Sequence, residues 1–167
     1  MRASVCKMPS TAAPQAIVMY ANHAVLAASY RLVNPLVRSR MLVWCRHGSG
    51  TIRINGGPAR DFSAGAFAWL PWAHRVEYQA GRKAWHLGGI HIVPRFPYKA
   101  LPDWRIRHQQ AEPDAPNHAD APLPGLDGTC AGVFHDAPGL EELAEFAVAW
   151  FRSPARDAAG ARRLAGL

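Results

Sequence analysis

The sequence predicts an all-β domain, an antiparallel sandwich or barrel followed by one C-terminal amphipathic helix. Two observations carry this. Between Tyr30 and Val93, short apolar runs rich in Val, Ile, Trp and Phe alternate with Gly and Pro. They recur at intervals of about eight to twelve residues, the spacing of antiparallel strands, and no helix of useful length fits. Further on the period changes, with Leu140, Leu143, Ala147 and Trp150 recurring at spacings of three, four and three.

The elements follow in chain order. The apolar stretch from Ala16 to Ala28 is interrupted by Asn22 and His23. No run approaches the ~20 apolar residues that a membrane-spanning helix needs, so residues 1–29 read as an N-terminal arm and a first strand. Met41 to Arg46 reads as a strand, His47-Gly48-Ser49-Gly50 as a turn and Thr51 to Ile54 as a second strand. Asn55-Gly56-Gly57 closes it, because Asn-Gly tolerates the positive φ of a type I′ hairpin turn. Phe67 to Leu70, Arg75 to Tyr78 and Trp85 to Val93 are further strands, giving at least five. From Ala100 to Gly139, prolines at 102, 113, 116, 122, 124 and 138 each remove a backbone donor and fix φ. That segment is expected to be mostly loop, with Thr129 to His135 returning as an edge strand that places Cys130 near the barrel wall.

The helix is expected over 136–152. Asp136 is placed to cap it, Glu141 and Glu142 suit the positive end of its dipole, and Pro154 ends it near Arg152. Its stripe either covers the sheet or forms a dimer seam through Leu140, Leu143, Ala147 and Trp150, with Phe146 and Phe151 beside it. Residues 153–167 read as the start of a linker, which leaves 30–135 as the barrel.

A chain of 167 residues is one domain, able to bury a real core. Cys6, Cys45 and Cys130 are an odd number with no CxxC, so neither a disulfide framework nor a structural zinc site is suggested. A reducing, cytoplasmic setting is expected, with no membrane partner and no secretory signal in the first fifteen residues. The formal charge of +7 comes with scattered arginines and no helix-turn-helix or zinc-finger pattern. A solvated basic surface fits better than a nucleic-acid site.

Two segments carry a family resemblance. The first runs from Leu42 through Cys45-Arg46-His47-Gly48-Ser49-Gly50 to Gly56, followed by Gly65, five residues, Pro71 and then His74. It resembles the cupin signature. The second, Trp85-His86-Leu87-Gly88-Gly89-Ile90-His91-Ile92-Val93-Pro94, resembles the stretch that follows the cupin core in AraC-family transcription regulators. The resemblance covers Tyr30 to about Phe96 and implies a cupin-like jelly-roll barrel that binds a small-molecule effector, with a terminal helix pair forming a homodimer. In that family DNA is bound by a separate C-terminal pair of helix-turn-helix motifs, absent from this sequence, so the chain is expected to be the sensory half of a longer regulator. Ala66 stands where the family usually has Asp, and the loop between Pro71 and His74 is two residues shorter than common.

Neither a metal nor another cofactor is expected. By the family spacing the metal-binding Glu falls at Met41 and the His-x-His pair within Val33 to Val37, where there is no His; His74 alone survives. Three or four converging ligands are needed to hold a first-row ion. His23, His108, His118 and His135 lie outside the expected core strands, whose only carboxylates are Asp61 and Glu77. A histidine without an orienting carboxylate or partnered nucleophile makes a poor catalytic set, so no enzymatic activity is expected.

A binding pocket needs less. Period two puts Met41, Val43, Cys45 and His47 on one strand face, expected to line the cavity, with His74 following in step. Leu87, Gly89 and His91 form one face of the long strand, where Gly88-Gly89 removes side-chain volume. Trp69, Trp72 and Trp85 are expected near the rim as flat apolar walls, with histidines giving directional hydrogen bonds. The resemblance implies effector contact at His47 and His74. The candidate ligand-binding set is therefore His47, His74, Cys45, Trp72, Trp69, Leu87 and His91. Two other readings stay open, a free-standing cupin enzyme and a scaffold that only dimerises.

Overall fold

A strand pattern that alternates every second residue is what the backbone delivers. In the computed structural model β1 spans Gln15–Leu26, β2 Arg31–Val37, β3 Arg40–His47, β4 Ser49–Ile54, β5 Arg60–Ser63, β6 Phe67–Leu70, β7 His74–Ala80, β8 Trp85–Phe96 and β9 Val133–Phe134. Helices α1, Leu140–Arg152, and α2, Ala158–Ala165, follow. The structure describes residues 15–97, 99–100, 102–109, 113, 115, 117–123, 133–135, 139–154 and 156–165.

The pairing is that of one long hairpin rolled up. β4 pairs with β5, β3 with β6, β2 with β7 and β1 with β8, all antiparallel. Rolling sends alternate pairs to opposite sheets, β1-β8-β3-β6-β9 and β2-β7-β4-β5. This is a jelly roll, the expected all-β barrel, with two C-terminal helices behind it where one was expected. At the closed end, Asn55 and Gly56 both take positive φ, 49° and 73°, and the Gly57 N–H bonds the Ile54 carbonyl at 2.9 Å, as the Asn-Gly signal requires.

Burial follows the pleat. Along β7, His74, Val76, Tyr78 and Ala80 point in while Arg75 and Gln79 point to solvent. On β3, Met41, Val43 and Cys45 face the interior, which they share with Ile52, Phe62, Tyr78, Trp85 and Leu87. Trp44 between them points the other way and is equally buried, because α1 covers that outer face. β8 is buried on nearly its whole length for the same reason.

α1 follows Gly139 at its N-terminus, with φ 80° and no side-chain cap; Asp136, the expected cap, lies outside the described residues, as do Thr129 and Cys130. Ala144, Ala147, Val148 and Phe151 pack on Val18, Ala21, Trp44, Phe67 and Ile90 of the sheet. The helix stripe thus covers the sheet within the protomer. Ala147 and Trp150, expected at a dimer seam, are committed inward, and Leu140 packs half-buried on the same cluster. Leu143 is half-buried and Phe146 is 56% exposed.

The expected linker start is a helix instead. Asp157 Oδ1 accepts the Gly160 N–H at 2.6 Å, an N-cap bond three residues into α2. The missing Cβ of Gly160 lets the Trp150 indole lie against the helix, and Ala161 packs on Ile17 and Met19 of β1. Among the described residues no helix is long and apolar enough to cross a membrane.

Candidate functional site

The barrel interior divides in two along its axis. Its lower half is solid. Trp85, fully buried, donates its indole N–H to Cys45 Sγ at 3.2 Å and meets Phe62 and Tyr78 edge-on, with ring centroids 6.0 and 6.1 Å away. The Cβ of any other residue at Gly50 would stand 2.6 Å from the Trp85 ring, so that glycine makes room for the indole. Burial pushes the Cys45 thiol pKa up, which leaves the group protonated and a poor nucleophile.

Above that floor lies a cavity of about 220 Å³. β1 supplies Tyr20, Asn22, Ala24 and Leu26, β2 Leu32 and Asn34, β3 Met41 and Val43, and β8 Leu87, Gly89 and His91. Tyr78 closes it from β7, and His108 from the loop beyond β8. The register sorts these side chains by height: Tyr20 sits opposite His91, Asn22 opposite Gly89, Ala24 opposite Leu87 and Leu26 opposite Trp85. The upper end is polar and the lower end apolar.

Three histidines gather at the upper end. His91 Nδ1 is 2.8 Å from Ser39 Oγ, a hydroxyl with no exposed surface, and the His91 ring meets His108 at 5.7 Å between centroids. Burial holds the His91 pKa well below the usual range, with His108 and His74 adding to it. His74, also fully buried, donates from Nδ1 to the Pro71 carbonyl at 2.6 Å. Its pKa falls to about 4, chiefly through burial. Both rings are neutral at physiological pH, able to give and accept hydrogen bonds but carrying no charge. Among the described residues no group of three His, Cys, Asp or Glu side chains is arranged to hold a metal ion.

His108 reaches the cavity because the loop 102–109 lies across the mouth. The Leu36 N–H bonds the His108 carbonyl at 3.4 Å and the Arg38 N–H bonds the Arg107 carbonyl at 3.2 Å, while Ile106 packs on the interior cluster. The proline-rich segment read as plain loop therefore supplies the barrel's cover.

Of the candidate residues, the structure brings Leu87 and His91 to the cavity wall and seats Cys45 in the floor beneath it, beside Trp85, which was expected at the rim. His74 is buried beside His91 and His108 without lining the cavity. His47 is elsewhere: a register shift between Cys45 and His47 turns it out, where it is exposed and faces the His86 ring at 5.7 Å. Trp69 is buried away from the cavity and Trp72 packs half-buried with Ile17, Met19 and Val93. Tyr20, Asn22, Asn34 and His108 line the cavity in addition to the expected set. Tyr20, Asn22, Ala24 and Leu26 share one face of β1 by strand phase, but with both faces covered no polarity contrast marks that face as inward, and nothing local marks His108.

No protein-family model matches the chain, and no curated protein matches it. Two solved structures are similar over part of it. A deletion mutant of the oxalate decarboxylase OxdC from Bacillus subtilis is 14% identical, with 42% of this chain and 20% of that one covered and a TM-score of 0.37. The DMSP lyase DddQ from Ruegeria pomeroyi DSS-3 is 14% identical, with 50% and 43% covered and a TM-score of 0.38. This chain spans less than half the length of either protein. Both are enzymes by description, which runs against the expectation of no enzymatic activity drawn from the sequence.

Proposed function

We propose that the chain is a small-molecule-binding jelly-roll domain whose ligand occupies the upper half of the barrel, in the manner of the effector-binding domain of AraC-type regulators. The observation that supports this reading is the division of the interior: a packed floor of Trp85, Tyr78, Phe62 and Cys45 below, and above it about 220 Å³ of space with an apolar lower wall and polar side chains at its upper end. A core needing only stability would fill that space, since empty volume costs stability in proportion to its size. The AraC-type part of the proposal rests on the Gly48-to-His74 and Trp85-to-Pro94 resemblances together with the helices packed on the outer sheet.

Gly89 supplies the test. A Cβ there would stand 2.7 Å from the Met41 methyl, the movable end of a flexible side chain, so Gly89→Leu fills the cavity without meeting backbone. A small-molecule panel is screened for thermal stabilisation of the wild type and of Gly89→Leu. At a hundredfold excess over Kd a ligand adds about 2.7 kcal/mol, or roughly 5–10 °C in Tm for a domain of this size. Hits that shift the wild type and leave Gly89→Leu unmoved support the reading; equal shifts in both proteins place the site outside the barrel.

A further inference from the structure

We infer that the ligand of this cavity is a compact, uncharged molecule with an apolar body and one polar end, and that the polar end is held by a hydrogen bond to His91. The inference rests on the reading of the barrel as a binding chamber and narrows it to a ligand class.

The lining decides the charge. Among the described residues, no Lys, Arg, Asp or Glu lines the cavity, although the chain as a whole carries +7. The titratable groups that face it are Tyr20, Tyr78, His91 and His108. Burial keeps the Tyr78 phenol and the His91 ring in their neutral forms. An ionised carboxylate, phosphate or ammonium placed there would lose its hydration and meet no counter-charge, a cost that grows steeply as the surroundings become less polar.

The register decides the orientation. Leu26, Leu32, Val43 and Leu87 form the lower wall, where an apolar body gains by leaving water. His91 is fixed at the opposite end. Its Nδ1 is occupied by Ser39, and its Nε2 has no protein partner among the described residues, which leaves that nitrogen for the ligand. Asn22 and Asn34 provide further donors and acceptors on the same upper wall. The volume, about 220 Å³, lies below the roughly 300–1,000 Å³ of pockets that hold drug-sized molecules, which limits the body to about one substituted ring.

Isothermal titration with four single-ring probes tests this at pH 7.5: benzyl alcohol and benzamide, which are neutral, against benzoate and benzylammonium. The expected result is binding of the neutral pair in the millimolar range or tighter, at least about tenfold tighter than either ion, with His91→Leu weakening benzamide about tenfold. Gly89→Leu is expected to abolish binding. Benzoate or benzylammonium binding as tightly as the neutral probes, in a manner lost in Gly89→Leu, overturns the ligand class while leaving the chamber in place. Neutral-probe binding unchanged in His91→Leu overturns the role of His91. Binding that survives Gly89→Leu, or no binding by any probe at 10 mM of the probe, about ten times a millimolar Kd, removes the chamber reading and the ligand class with it.

Discussion

Tyr20 joins the cavity to helix α1. Its ring lines the cavity on one side and on the other meets Phe151 edge-on, with centroids 5.5 Å apart and planes at 79°. Phe151 in turn meets Trp104 at 5.5 Å, and the Arg156 guanidinium stands 5.0 Å from the Phe151 centroid. A ligand that orders Tyr20 therefore restricts the last turn of α1 and the start of the segment leading to α2. Hydrogen exchange is the measurement: amides of residues 147–151 are expected to exchange more slowly in the ligand-bound protein. Phe151→Leu, a large-to-small change that costs less than the about 3–5 kcal/mol of Phe→Ala, is expected to leave binding intact and remove that protection. Equal protection in both proteins would show that Tyr20 does not relay occupancy.

The outer face of the barrel depends on a glycine. A Cβ at Gly88 would overlap the Trp44 indole, which lies flat against that position beneath α1. Gly88→Ala is expected to lower stability by about 1–3 kcal/mol or more, the cost of overpacking. Trp44→Leu opens the space, so the double variant should be less destabilised than the two single changes added together, by about 1 kcal/mol. Urea denaturation of the four proteins checks it, and strict additivity would contradict this packing.

Histidine burial makes the fold acid-sensitive. His74 titrates near 4 in the native state and near 6.5 unfolded, so between those values the unfolded chain binds the extra proton and stability falls as pH falls. The loss is complete below about pH 4 and, at about 1.4 kcal/mol per pKa unit, amounts to roughly 3 kcal/mol for His74. The lowered His91 pKa acts in the same direction. Tm is expected to drop steadily from pH 6.5 to 4, with a shallower slope in His74→Gln. An unchanged slope in that variant would contradict the assignment.

Glu145 fastens α1 to the sheet. Its Oε1 accepts from Trp44 Nε1 at 3.2 Å and from Arg46 Nε at 2.7 Å, and its Oε2 lies 3.0 Å from His23 Nε2. The pair with Arg46 is partly exposed and contributes little. The larger effect comes from the buried Trp44 donor, left without an acceptor in Glu145→Ala, at about 1–2 kcal/mol. Arg46→Ala should cost only a few tenths. A reversed order in denaturation midpoints would assign the stabilisation to the surface charge pair.

Much of this architecture was legible in local pattern. Period-two alternation marked β3 and β7, an apolar run bounded by turn residues marked β8, Asn55-Gly56 marked the β4–β5 hairpin, and the Leu140-to-Trp150 spacing marked α1. Where both faces of a strand are buried the alternation blurs, which hid the length of β1 between the cavity and the two helices. Asn34-Pro35 obscured β2, and the capped α2 reads as a small, charged run whose order depends on β1 and Trp150. The site was less legible than the fold. Leu87 and His91 followed from strand phase, but His47 was turned out by one register shift, and His108 reaches the cavity through long-range backbone bonds to Leu36 and Arg38 that no local signal announces. The tryptophans resemble one another in sequence, yet only Trp85 enters the interior, where it serves as the floor.

The central claim is that the upper half of the barrel is hollow above an apolar wall. A crystal pressurised with xenon tests it most directly, because this gas enters dry apolar cavities and appears strongly in diffraction. The expected result is a xenon atom between Leu26, Val43 and Leu87 in the wild type and none in Gly89→Leu. A wild-type interior without xenon, its space taken by the side chains of Met41, Leu87 and His91, would contradict the claim.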